Sequence, residues 1–347
     1  MRQVGYLLVK LWIKAALHLF YGKIVVHGLE NVPKNAPILF LPNHQSALLD
    51  VLLIAVDCNR KPYFLTRSDV FKGKFLKVVF DIFQMIPIYR FRDGRESLKN
   101  NQAIFDHCSE LLIHKEAILM FPEANHNLKR RVRPLSKGFT RILFNTLDKA
   151  PETEIQIIAV GINYRDAESF PDKVALYFDA PIAVNVMYDP KDEKGSVDSI
   201  KDAVSRRLKN LTTHIADEAN YQDIASKLDS LQVDYLKPEG VNKTISELQS
   251  SALNSAKIGE NGVLRKLLGG VFVVLNLPVV LIWKKLIKPK VWEPEFTGTL
   301  RFAFALLAYP LYFAILFTIV VSISNVIVAL VAVLALFLFD WMYVRWH

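Results

Sequence analysis

The C-terminal end of this chain restricts its fold more than any other stretch. Residues 302–321 and 323–344 are two apolar runs, each long enough to cross a bilayer as a helix. A crossing helix satisfies its own backbone hydrogen bonds, so these runs are read as membrane spans rather than as strands or soluble core. The turn between them holds Ser322, Ser324 and Asn325 and no charge, whereas Arg301 and Arg345 stand at the other ends. Positive residues stay on the cytoplasmic side, so a hairpin with both ends cytoplasmic is expected. A third apolar run, 267–283, is shorter and interrupted by Asn276-Leu277-Pro278. It has Arg265-Lys266 before it and Lys284-Lys285 after it, and is expected to re-enter the membrane on one side. Residues 263–347 thus read as a membrane domain.

At the other end, residues 1–21 read as one helix that is apolar almost all round from residue 3, but Lys10, Lys14 and His18 recur every fourth position. That spacing makes one stripe on a helix, which fits an amphipathic helix lying in the interface. No small-residue cleavage site follows it. The 52% hydrophobic content and mean hydropathy of +0.22 are concentrated at these two ends. The net charge of +9 suits an anionic membrane surface or a phosphorylated ligand. No helix-turn-helix, finger spacing or RNA-binding aromatic pattern is present, so nucleic acid is set aside as a partner. Two isolated cysteines, Cys58 and Cys108, make neither a zinc framework nor a disulfide scaffold and fit a reducing compartment.

Between the ends, residues 22–190 alternate short β-rich runs with helical stretches. The runs are 24–27, 37–41, 62–66, 86–90, 117–121, 155–163 and 174–179, and the main helices are 68–83, 94–115 and 136–148. This pattern predicts an α/β fold, a mixed sheet flanked by helices. Residues 191–262 hold few aromatics and read as a helical appendage or linker. Val197, Ile200, Val204, Leu208 and Leu211 predict a helix over 196–219, and Pro238-Glu239-Gly240 predicts a turn.

Three of the runs end in polar clusters, and the carboxyl ends of strands are where α/β sheets place ligands. Ile38–Pro42 leads into Asn43-His44-Gln45-Ser46-Ala47-Leu48-Leu49-Asp50. Histidine titrates near neutrality and can take a proton from an alcohol, while a nearby carboxylate can fix its tautomer. With no Gly-x-Ser-x-Gly nucleophile in the chain, His44 and Asp50 suggest direct attack by a substrate hydroxyl. A helix-capping histidine beside a solvated aspartate is the plainer alternative. Ile86–Ile88 leads into Arg90 and Arg92, whose planar forks suit a phosphate if the strand continues. Phe121-Pro122 leads to Glu123, an acceptor for a substrate hydrogen bond, a group that orders the basic cluster, or a solvated acid. Lys129, Arg130, Arg131, Arg133 and Lys137 form a second basic cluster that can meet phosphates or anionic headgroups. Ser136 can cap the helix that follows. Glu123-x-x-His126 has the spacing of half a di-iron motif, but no second copy exists and no metal site is expected.

In combination these blocks resemble the glycerophospholipid acyltransferase family, which includes lysophosphatidate and glycerol-3-phosphate acyltransferases. Four blocks carry the resemblance, in order: Asn43-His44 to Asp50, Ile86 to Gly94, Phe121-Pro122-Glu123 with Arg130 to Gly138, and Ile155–Asn163. The helical segment and C-terminal spans look like a bacterial subgroup with extra membrane helices. The resemblance implies a general base at His44 oriented by Asp50. It implies acceptor-phosphate binding by Arg92 and Arg90, and acceptor-site support from Glu123, with Arg130, Arg131 and Arg133 as further candidates. It implies an acyl thioester donor, acyl-CoA or acyl-acyl carrier protein, with no bound cofactor. Membrane lipid and a phosphorylated glycerol acceptor are the implied partners, joined by the carrier protein if it bears the acyl group. The expected acceptor is 1-acylglycerol-3-phosphate. Glycerol 3-phosphate, another lysolipid or an aminolipid are alternatives, and a non-catalytic scaffold on anionic lipid is the reading from a different class. The expected location is a bacterial inner membrane, with the catalytic domain on its cytoplasmic face.

Two departures bear on geometry. Five residues separate His44 from Asp50, where four are commoner; a five-residue spacing resembles fungal-type glycerol-3-phosphate acyltransferases. On one ideal helix the two would lie about 120° apart, so His44 must precede the helix. The usual Phe-Pro-Glu-Gly reads Phe-Pro-Glu-Ala, and Ala124 is not expected at positive φ.

Overall fold

The computed structural model describes residues 2–68, 84–89, 100–250 and 262–347. Residues 69–83 of the helix expected over 68–83 and the first residues of the 94–115 helix lie outside them, as do Arg90 and Arg92.

Helix α1 (Arg2–Phe20) leads directly into strand β1 (Tyr21–His27). Strand β2 (Ile38–Pro42), helix α2 (Ala47–Asp57), strand β3 (Tyr63–Arg67) and strand β4 (Met85–Ile88) follow. Helix α3 (Asn100–Ile113), strand β5 (Ala117–Leu119) and helix α4 (Gly138–Lys149) precede three final strands. These are β6 (Gln156–Tyr164), β7 (Asp172–Phe178) and the short β8 (Ile182–Ala183).

The strands form one mixed sheet in the order β1-β7-β6-β2-β5-β3-β4, with β8 on β6. β6 runs antiparallel to β7 and β8, and the other pairings are parallel. Every residue of β2 is buried, as expected of a central strand covered on both faces. Ile38 and Phe40 pack with α1 and α2, while Leu39 and Leu41 pack with α3 and α4, so the side-chain period of two divides the core into two layers.

The basic stripe on α1 is turned toward the protein. Lys10 Nζ donates to the Cys58 carbonyl at 3.0 Å, and Lys14 pairs with Asp57 at 2.9 Å. Ile13, Leu17 and Phe20 are buried, which leaves Leu7, Leu8, Leu11, Trp12 and Leu19 as the exposed apolar side. An apolar side left open by a protein-facing stripe is what an interfacial helix presents to lipid.

The appendage differs in detail from the sequence expectation. Helix α5 spans Glu193–Leu211 rather than 196–219. It ends at Thr212, whose hydroxyl donates to the Leu208 carbonyl, and the chain then turns extended so that Ile215 N can donate to Arg130 O. Helices α6 (Tyr221–Ser230) and α7 (Pro238–Ser250) follow. Pro238 opens α7 instead of making a turn, because the fixed φ and missing N–H of proline suit a first helical position. Ser136 makes no cap either; α4 begins after Lys137, with no side-chain cap.

The membrane domain starts with α8 (Gly262–Leu275) and α9 (Leu277–Ile282), bent by 91° at Asn276. Helices α10 (Thr297–Ile323) and α11 (Val326–Trp346) form the hairpin, both long and apolar enough to span a bilayer. Both of its ends meet the α/β domain. Thr299 contacts the start of α2, and the His347 carbonyl accepts from Arg165 Nη1.

Gly161, in the middle of β6, sits under the last turn of α5. A Cβ there would collide with the Leu211 carbonyl, a backbone group that cannot swing aside. Gly161→Ala is expected to destabilise the domain by about 1–3 kcal/mol through overpacking. Thermal unfolding of the variant in detergent checks this, and an unchanged Tm would contradict it.

Candidate active site

The loop after β2 is fixed before any chemistry is considered. Asn43 bonds twice to the backbone of β6, donating from Nδ2 to Ile162 O at 3.0 Å and accepting from Ile162 N at 2.7 Å. His44 comes next and lies ahead of α2, as the five-residue spacing requires. Asp50 stands in the first turn of α2, fully buried. Its Oδ2 accepts from Gln45 N and Ser46 N, both at 2.8 Å, and lies 2.7 Å from His44 Nδ1. Its Oδ1 accepts from the Tyr164 hydroxyl at 2.6 Å. An ionised carboxylate can only accept, so Nδ1 carries the ring proton and Nε2 is left with its lone pair free. Burial pushes the His44 pKa below its ordinary 6.5, with Asp50 pulling in the opposite direction. Burial, and then the charge of Asp50, holds the Tyr164 hydroxyl well above the usual range, so it remains a donor.

The His44 ring stacks on Phe121, with centroids 3.7 Å apart, and meets the edge of His126 at 5.4 Å. Phe121 closes the turn after β5, which carries Glu123 to the same rim. Glu123 is tied up: its Oε2 accepts from Arg133 Nε at 2.8 Å and from Arg133 N at 3.3 Å. Burial raises the Glu123 pKa against the pull of Arg133. Ala124 adopts φ 61°, contrary to the sequence expectation. Ala124 N donates back to Phe121 O and Arg133 Nη2 donates to Asn125 O, so the turn holds a conformation that glycine would adopt more easily.

The basic cluster also turns inward. Arg130 donates to the carbonyls of Tyr164 and Arg165 at 3.0 and 2.7 Å, and its guanidinium lies 3.5 Å from the centre of the Tyr235 ring. Arg131 reaches Ala216 O at 3.0 Å and Glu218 at 3.3 Å. These guanidinium groups therefore fasten the appendage to the α/β domain. They line a polar cleft beside His44 whose other walls include Asn43, Gln45, Lys129 and Thr213. Arg90 and Arg92 lie outside the described residues.

Several groups at this site were given no role from the sequence. Tyr164 and Asn43 support the pair from β6 and from the residue before it. Glu293, from the membrane domain, accepts from His126 Nε2 at 2.7 Å. His126, Glu293 and Glu295 place one ligand atom each within 4.8 Å of one another. A cation there would have to displace the existing His126–Glu293 hydrogen bond.

A His–Asp pair at the carboxyl end of a central strand, on a membrane-bound α/β domain, defines the class of site. Residues 23–163 match the family model described as Acyltransferase. The chain is 24% identical to glycerol-3-phosphate O-acyltransferase 1 of Saccharomyces cerevisiae over 34% of its own length and 16% of the relative's. It is 26% identical to a chloroplastic 1-acyl-sn-glycerol-3-phosphate acyltransferase of Brassica napus, over 46% of this chain and 44% of that one. The match thus spans less than half the length of either relative. A solved 1-acyl-sn-glycerophosphate acyltransferase of Thermotoga maritima aligns over 62% of this chain and 100% of its own, at 17% identity and a TM-score of 0.39.

Tyr164→Phe leaves Asp50 Oδ1 buried without its donor, and such an orphan costs about 1–3 kcal/mol. Denaturant unfolding is expected to show that loss, and stability equal to the wild type would contradict the role given to the hydroxyl.

Proposed function

We propose that this protein transfers a fatty acyl group from a thioester to a hydroxyl of a glycerol-phosphate acceptor at a membrane surface. The observation that carries the reading is the His44–Asp50 pair, with Nδ1 bonded to a buried carboxylate and Nε2 left as the base. His44 takes the proton of the acceptor hydroxyl as its oxygen attacks the thioester carbonyl. The resulting imidazolium, stabilised by Asp50, returns a proton to the departing thiolate. Such general-base help is worth about 10²–10⁴ in rate. The acceptor phosphate is held by Arg92 and Arg90, and Glu123 supports the acceptor site through Arg133.

The preferred acceptor is 1-acylglycerol-3-phosphate, because the domain carries an exposed apolar helix and a membrane hairpin that bring it to lipid. An apolar cavity of about 390 Å³ between α1, α10 and α11, walled by Phe20, Phe302, Phe313 and Phe337, offers space for a chain. Glycerol 3-phosphate is the second reading, favoured by the five-residue spacing shared with fungal-type enzymes. The donor is acyl-CoA or acyl-acyl carrier protein. Arg301 and Arg345 at the same end of the hairpin support a cytoplasmic face of a bacterial inner membrane for the α/β domain.

The test supplies purified protein in lipid with each donor and a panel of phosphorylated and lysolipid acceptors. His44→Ala is expected to lose about 10²–10⁴ in kcat, and full transfer by this variant would refute the base assignment. Arg92→Ala is expected to raise KM for phosphorylated acceptors, and an unchanged KM would remove it from the phosphate site. The base must be neutral, and burial holds its pKa below 6.5. Log kcat/KM is therefore expected to be level at neutral pH and to fall on acidification, with a midpoint below 6.5. A midpoint above 6.5 would contradict the assignment.

A further inference from the structure

Helix α2 lacks the cap its own sequence offers. Ser46 is the cap residue, yet its Oγ makes no cap hydrogen bond and is buried without a partner. The acceptor comes from the membrane domain. Leu49 N donates to Thr299 Oγ1 at 3.3 Å, sharing its hydrogen with Ser46 O, and the same hydroxyl donates to Ser46 O at 3.2 Å. Gly298 allows this approach: a Cβ there would lie 2.9 Å from Ala167 O and 3.1 Å from Ser46 Oγ. A few residues earlier, the Phe296 ring meets His126 edge-on at 5.0 Å, and Glu293 holds His126 Nε2 at 2.7 Å. His126 in turn meets the ring of His44 at 5.4 Å.

Two independent contacts from one segment therefore end on the two loops that meet at His44. One reaches the backbone between His44 and Asp50, and the other reaches the ring beside His44. We infer that the membrane domain supplies positioning residues to the catalytic centre, Thr299 by capping α2 and Glu293 by fixing His126 against His44. The centre is complete only when 293–299, the root of the first membrane span, is docked on the α/β domain. The inference rests on the reading of His44 as the base.

It is tested in the full chain by comparing Thr299→Val, Thr299→Ser and Glu293→Gln with the wild type. Acyl transfer and amide hydrogen exchange over 43–53 and 125–128 are both followed. Thr299→Val keeps the shape and removes the hydroxyl; Glu293→Gln keeps the shape and removes the charge from a half-exposed side chain. Both are expected to lower kcat by about ten- to a hundredfold through misplacement of His44, with KM for donor and acceptor unchanged. Exchange is expected to quicken over 43–53 in Thr299→Val and over 125–128 in Glu293→Gln, while Thr299→Ser behaves as the wild type. Wild-type kcat and wild-type exchange in both variants would overturn the inference. So would a loss that Thr299→Ser shares in full, since that would be a packing effect. If the wild type transfers no acyl group, the functional reading falls, and the exchange comparison still decides this one.

Discussion

The Asp50 carboxylate is fully buried and accepts four hydrogen bonds, from Gln45 N, Ser46 N, His44 Nδ1 and Tyr164 Oη. A charge taken out of water is tolerated only when its lone pairs are filled. Here two of the donors are backbone groups of the loop that carries His44, so filling the carboxylate also shapes the loop. The third donor is the histidine ring, which thereby receives its tautomer. The fourth comes from β6, which ties the pair to the sheet. One interaction thus sets the loop conformation, the ring orientation and the register of the site on the fold.

The sheet order makes that arrangement possible. β2 lies between β5 and β6, so its carboxyl end meets the turn carrying Phe121 and Glu123 on one side and Tyr164 on the other. Phe121 then covers one face of the His44 ring, and burial keeps that ring neutral near physiological pH. The basic loop 129–133 fastens the helical appendage beside the same rim. The membrane hairpin closes the arrangement, leaving and returning at the α/β domain with its root on the start of α2. Chemistry and bilayer are therefore joined by direct contact rather than by a loose linker.

Much of this was legible in the sequence where the signal is local. Short β-rich runs located the seven longer strands among the described residues. The His44–Asp50 spacing itself required the histidine to precede the helix. Two runs of membrane length gave the hairpin. Contacts between distant segments left no such trace. Nothing near Leu49 announces a cap from Thr299, and nothing near His126 announces Glu293. Arg130 looked like a ligand for phosphate because its charge is local information. Its partners, the carbonyls of Tyr164 and Arg165 and the ring of Tyr235, are not. Ala124 misled for a related reason: its residue type disfavours positive φ, but the hydrogen bonds of the surrounding turn decide the conformation. The end of α5 was placed too late: its apolar spacing stops at Leu211, where the helix ends, and the chain leaves extended at Thr212.

The proposed chemistry requires Asp50 to hold the His44 proton on Nδ1 and leave Nε2 unprotonated. Nitrogen-15 NMR of histidine-labelled protein reads this directly, with the His44 signals assigned by their loss in His44→Gln. A neutral ring at neutral pH, protonated on Nδ1, is expected, together with a change in that tautomer in Asp50→Asn. A His44 ring that is protonated on Nε2 alone, or that is already an imidazolium at neutral pH, would contradict it.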